Sequence, residues 1–131
     1  MTLYEECIEA LKNNYEILAE DERSKILNDF ENKFKLTSWG RINWNEISQK
    51  VQVNSATEIK SKLINNTSKN NINVYIIWDE VNLPIVKSDL STVIRVIDDV
   101  TAVSFDTWLV SLDDGVIIEF YHDGEITIGI K

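Results

Sequence analysis

The sequence predicts an α+β fold, with N-terminal helices packed on a C-terminal antiparallel β-meander sheet. Three observations predict it. Apolar residues recur at three- and four-residue steps through the first half, the spacing of one helix face. The second half holds runs of β-branched and aromatic residues, which suit strands. The last three of those runs are separated by Asp-Gly pairs, strong hairpin signals because glycine tolerates φ > 0. The 131 residues suit a single domain with one hydrophobic core. Within it, 1–71 reads as mainly helical and 72–131 as mainly sheet with one helix.

In order, Leu3, Cys7, Ile8, Leu11, Tyr15 and Leu18 form one apolar stripe, and Ile26, Leu27, Phe30 and Phe34 extend the spacing after a polar break. One bent helix or two consecutive ones fit equally. Trp39-Gly40 marks a turn. Asn43-Trp44-Asn45-Glu46 has the form of a capping box, predicting a helix that carries Ile47 and Val51. Ser55-Ala56-Thr57-Glu58 repeats the signature ahead of Ile59 and Leu63. Residues 65–71 read as a polar loop, and the glycosylation sequons in Asn65-Asn66-Thr67-Ser68 read as chance without an export signal. Val74 to Trp78 forms a mostly buried strand, and Pro84 suits an edge or a connection. Ser88 fits an N-cap for a helix burying Leu90, Val93, Ile94 and Ile97. Strands then run from Trp108 to Leu112, Val116 to Tyr121 and Ile126 to Ile130, turning at Asp114-Gly115 and Asp123-Gly124.

Composition excludes several classes. At 44% apolar and 27% charged, the chain is close to globular averages and not disordered. No apolar run approaches the ~18 residues of a membrane span. The first residues lack the basic and apolar regions of a signal peptide, so the expected location is cytoplasmic. One cysteine and one histidine exclude an internal disulfide and argue against a zinc site. The four glycines are isolated, so no phosphate-cradling loop is present. No cofactor is implied.

The net charge of −9 is unevenly distributed. Residues 1–71 hold 11 acidic and 10 basic residues, whereas residues 72–131 hold 11 acidic residues against Lys87, Arg95 and Lys131, a net of −8. Such a field repels phosphate backbones and disfavours direct nucleic-acid binding. It attracts a basic protein partner and speeds the encounter.

Individual residues are weighed against plainer roles. Cys7 lies on the apolar stripe among Glu5, Glu6 and Glu9, the setting of an inert buried thiol. His122, beside a turn, is expected to be exposed. It could act as an acid or base, but no nucleophile is recognisably paired with it. The pairs Asp79-Glu80, Asp98-Asp99 and Asp113-Asp114 lack the register of a calcium loop, which leaves a solvated or an acidic docking surface. Trp78 and Trp108 sit in strand patterns and read as core, while Trp39 and Trp44 flank a turn and read as partly exposed. If Ile118 and Phe120 face inward, Ile117, Glu119 and Tyr121 share the opposite face, which suits a protein contact or a covering helix.

The C-terminal sixty residues carry a resemblance. Trp78-Asp79 with Leu83-Pro84, then Asp98-Asp99-Val100-Thr101-Ala102-Val103-Ser104-Phe105-Asp106-Thr107-Trp108-Leu109, then Ile118-Glu119-Phe120-Tyr121-His122-Asp123-Gly124-Glu125-Ile126, resemble immunity proteins of bacterial contact-dependent growth inhibition and related polymorphic toxin systems. The resemblance implies a non-catalytic cytoplasmic protein that binds the C-terminal toxin domain of an exported effector, often a nuclease. Because such families vary in fold, it brings no interface residues. Charge and topology point to Asp98, Asp99, Asp106, Asp113, Asp114, Glu119, Tyr121 and Asp123 as partner-binding residues, with no catalytic or metal-binding residue. The alternatives are an adaptor docking through Trp39, Trp44 or the Phe30/Phe34 stripe, and a small enzyme using His122.

Overall fold

The computed structural model describes residues 1–67 and 69–131, the side chains of residues 65 and 66 excepted. Thr2 opens α1 (Leu3–Leu11) with a reciprocal capping box: its hydroxyl accepts from the Glu5 N–H at 3.1 Å, and Glu5 accepts from the Thr2 N–H at 2.9 Å. The helix stops at Lys12, whose φ of 57° leaves helical space. The apolar stripe therefore splits. Glu16–Ile17 form the short strand β1, and α2 (Glu20–Lys33) follows.

The helix predicted from Asn43 does not form. Its side chain reaches Glu46 at 3.2 Å and caps no backbone N–H. A single 3₁₀ turn (Trp44–Glu46) gives way to β2 (Gln49–Val53). The physical reason lies across the sheet: β7 offers an open edge, and residues 49–53 pair with it through Val51↔Ile128 and Val53↔Ile126. The Ser55 box does form, with Glu58 accepting from the Ser55 N–H at 3.0 Å. It leads through a 3₁₀ turn into α3 (Ile59–Thr67), which buries Ile59 and Leu63. Helix thus occupies the start of the predicted 65–71 loop, Ser68 lies outside the described residues, and so do the side chains of the sequon residues Asn65 and Asn66.

Beyond it run β3 (Asn73–Trp78), β4 (Val86–Asp89), α4 (Leu90–Arg95), α5 (Ile97–Thr101), β5 (Thr107–Ser111), β6 (Val116–Phe120) and β7 (Ile126–Ile130). Pro84 lies in the β3–β4 connection, as expected. The N-cap of α4 is Asp89, not Ser88: the Asp89 carboxylate accepts from the Thr92 N–H at 2.9 Å, while the Ser88 hydroxyl donates to the Asn14 carbonyl. The predicted single helix breaks at Val96, which leaves helical space at ψ 33°.

The described residues form a seven-stranded antiparallel sheet in the order β1-β4-β3-β5-β6-β7-β2. The fold is α+β, and the C-terminal meander β5-β6-β7 sits within this sheet as predicted. Two features go beyond the expectation. The N-terminal half supplies both edge strands, and helices cover both faces. On one face Cys7, Leu11, Ile59, Leu63, Leu90, Val93 and Val100 pack on Ile76, Leu109 and Ile118. On the other, Phe30 of α2 and its C-cap Phe34, with Ile42 and Ile47, pack on Ile77, Trp108, Val110 and Ile117. Side chains of successive strand residues alternate between these two cores, so β5 and β6 are buried along their whole length. Among the described residues, no helix is long and apolar enough to cross a membrane.

Candidate functional site

The geometry is built around β6. Alternation sends Glu119 to the α2 face, opposite Trp108 of β5 and Thr127 of β7. Of the two expectations for that face, a protein contact or a covering helix, the structure bears out the second: α2 and residues 34–47 roof it, and Glu119 is 0% exposed. A buried carboxylate must be fully hydrogen-bonded, and this one is. Oε1 accepts from Arg41 Nε at 2.8 Å and Trp44 Nε1 at 3.0 Å, while Oε2 accepts from the Ile42 N–H at 2.8 Å and Trp108 Nε1 at 3.1 Å. Glu119 is therefore an internal anchor, and its assignment to partner binding is corrected.

Arg41 carries that anchor to the surface. It follows Gly40 (φ 83°) in a tight turn closed by the Gly40 N–H donating to the Thr37 carbonyl at 3.0 Å. Its guanidinium also grips Glu125 and lies 4.3 Å above the Tyr121 ring. Burial works against the charge, but the hydrogen bonds to Glu119 and Glu125 outweigh it and hold Arg41 above its ordinary pKa. The β6–β7 turn is thereby tied to the roof. Gly124 (φ 96°) makes the bend, and the Asp123 carboxylate accepts from the Glu125 N–H at 2.9 Å.

Asp106, just before β5, is nearly buried and accepts from the His122 backbone N–H at 2.7 Å, with His122 Nδ1 at 3.1 Å. Asp79 approaches it from the end of β3. Burial first, and then the Asp106 carboxylate, raise the Asp79 pKa above its ordinary value. His122 is half exposed, as expected.

The predicted acidic residues thus fall at two opposite ends of the sheet. Asp106, Tyr121 and Asp123 share one end, with Asp98 of α5 beside them. Exposed Asp99 is next to Asp98, on the helix packed against α1. Asp113 and Asp114 lie in the β5–β6 turn at the other end. There Lys69 Nζ sits 2.8 Å from Asp114 Oδ1, and this hydrogen bond holds the Asp114 carboxyl below its ordinary pKa. The eight residues form no single patch.

Between the α4–α5 break, the Ser55–Thr57 segment and the β6–β7 turn lies a cleft of about 530 Å³. Its apolar lining is Ile94, Ile97, Phe120 and Ile126, with Asp98 and Glu125 contributing carboxylates. Phe105 stands on its lip, 84% exposed. Phe105 was not singled out as a contact residue in the sequence, and Ile97 read as part of a buried helix face. Among the described residues, no group of three His, Cys, Asp or Glu side chains is placed to hold a metal ion.

A family model described as CdiI immunity protein EcoliA0-like matches residues 1–129. The chain belongs to this CdiI immunity family. Comparison with curated proteins finds no match. The match spans the helical half as well as the meander. Cys7 is wholly buried, and burial, with Asp99 nearby, pushes its thiol up to about 11, which makes it a poor nucleophile. The adaptor alternative also narrows: Phe30 and Phe34 are buried, leaving Trp39 as the exposed aromatic of that half.

Proposed function

We propose that this protein is a non-catalytic, single-domain antidote that acts in the cytoplasm by binding the C-terminal domain of a cognate toxin, and that the toxin is a basic nuclease. The family match over residues 1–129 carries the immunity reading. The net charge of −8 over residues 72–131 supports the nuclease reading. A nuclease presents a cationic surface to phosphates, and clustered carboxylates can occupy that surface in their place, with long-range attraction raising the association rate.

Asp98, Asp99, Tyr121 and Asp123, at or near one end of the sheet, are the proposed contact residues; nearly buried Asp106 holds the His122 turn beneath them, and Asp113 and Asp114 contribute to the general field. The test is to titrate the purified chain into the toxin domain while following cleavage of RNA and DNA substrates. Stoichiometric loss of cleavage is expected, with His122→Ala protecting as well as the parent chain. Undiminished toxin activity at molar excess would overturn the reading. Protection that disappears in His122→Ala, in a chain that still binds the toxin, would overturn its non-catalytic part.

A further inference from the structure

We propose that the cleft at the β6–β7 end receives a lysine- or arginine-bearing segment of the toxin, with Phe105 and Asp98 as its principal anchors. This inference rests on the antidote reading above. The cleft volume of about 530 Å³ falls within the range of roughly 300–1,000 Å³ typical of small-ligand sites, so it admits a few side chains and not a whole domain. Its floor of Ile94, Ile97 and Ile126 is apolar, and half-exposed isoleucines gain by covering the aliphatic stem of a long basic side chain.

The walls decide the sign of the head group. Asp98 and Glu125 line the cleft, and among the described residues no lysine or arginine does. Arg41, itself outside the lining, pairs with Glu125 and compensates its charge, which leaves Asp98 as the carboxylate open to an incoming cation. Asp98 has no such cationic partner among the described ion pairs. A basic side chain entering here meets carboxylate charge and pays for little desolvation of its own until the floor is reached. Phe105, exposed at the lip with its ring 6.1 Å from that of His122, is placed to stack on a guanidinium or close over the segment. The smaller hollow at the opposite end, about 170 Å³, is lined by Lys69 together with Asp113 and Asp114, so its own cation already occupies the place a toxin lysine would take.

Isothermal titration of the toxin domain against four full-length chains tests this: the parent, Phe105→Ala, Asp98→Lys and, as a control of equal charge change, Asp113→Lys. All three altered side chains are exposed, so unfolding temperatures close to the parent's are expected. Phe105→Ala and Asp98→Lys should each raise Kd about tenfold or more, the scale of an interface hot spot, and Asp98→Lys should flatten the salt dependence. Asp113→Lys should stay within about threefold, as a remote charge affecting steering alone does. Parental affinity in both cleft variants would overturn the cleft and leave the antidote reading standing. Absence of binding by the parent chain would overturn both.

Discussion

The two ends of the sheet carry similar acidic sequences and meet different fates. At the β5–β6 end, Asp114 accepts from the Ser111 hydroxyl at 2.9 Å and pairs with Lys69 at 2.8 Å, and the Lys131 N–H donates to the Gly115 carbonyl at 2.8 Å. That end is closed on itself by a cation from the helical half. At the β6–β7 end the helical half also sends a cation, Arg41, but buried Glu119 claims it first and Glu125 second. Asp79, Asp98 and Asp123 remain on the surface there, beside an apolar cleft and an exposed phenylalanine. A charge count along the chain measures how much field exists. Where it is left uncompensated depends on which lysine or arginine folds over which turn.

The largest expected effect breaks the β6–β7 end from beneath. Glu119→Ala would take from Arg41 its buried partner and strand the Ile42 N–H and two indole N–H groups, and removing one partner from a buried charged network costs about 3–5 kcal/mol. Urea denaturation should show that loss, and Glu119→Gln should lose less because it keeps the volume and one acceptor. A Glu119→Ala variant within about 1 kcal/mol of the parent would mean that the network is not the anchor described.

The next effect separates the two turns. Gly115 (φ 67°) has no room for a side chain, since a Cβ there would lie 2.3 Å from the Lys131 carbonyl oxygen, whereas Gly124 (φ 96°) faces open space. Gly115→Ala should therefore lose both the backbone preference, about 1–2 kcal/mol, and a steric term of similar size. Gly124→Ala should lose only the first. Equal losses by thermal unfolding would remove the distinction between a closed and an open end.

The smallest effects are in pH dependence and have opposite signs. The fold raises the Asp79 pKa above 3.8, so its stabilising contribution is complete below 3.8 and is lost as pH rises through the folded value. The fold lowers the Asp114 pKa below 3.8, so its contribution is present above 3.8 and is lost as pH falls through the folded value. Asp79→Asn should flatten stability on the alkaline side of that point and Asp114→Asn on the acidic side. Changes of the same sign in both variants would contradict the assigned environments.

Much of the fold was legible because it rests on local rules. The Ser55 box, the buried strand through Trp78, the two glycine turns and the burial of Cys7 and Trp108 each follow from spacing or turn chemistry within about ten residues. The misread elements share one cause. Residues 49–53 alternate well enough for a strand, but an apparent capping box preceded them, and the open edge of β7 decided between the two. Ser88 and Asp89 are both good caps, and the hydroxyl was drawn to Asn14, 74 residues away. The site was legible only in part: the acids could be listed and a covering helix over Glu119 was one of two readings, but neither the Arg41 link nor the cleft beside Asp98 could be read.

By itself the sequence determined the α+β class, the meander, the sign of the charge and the family motifs, because periodicity, turn residues and composition act over short stretches of chain. Tertiary structure alone decided that both edge strands come from the first half, that one acid became a buried anchor, and that one sheet end kept its charge open. Those outcomes depend on which distant groups reach an unpaired donor or acceptor first, and sequence spacing does not encode that competition.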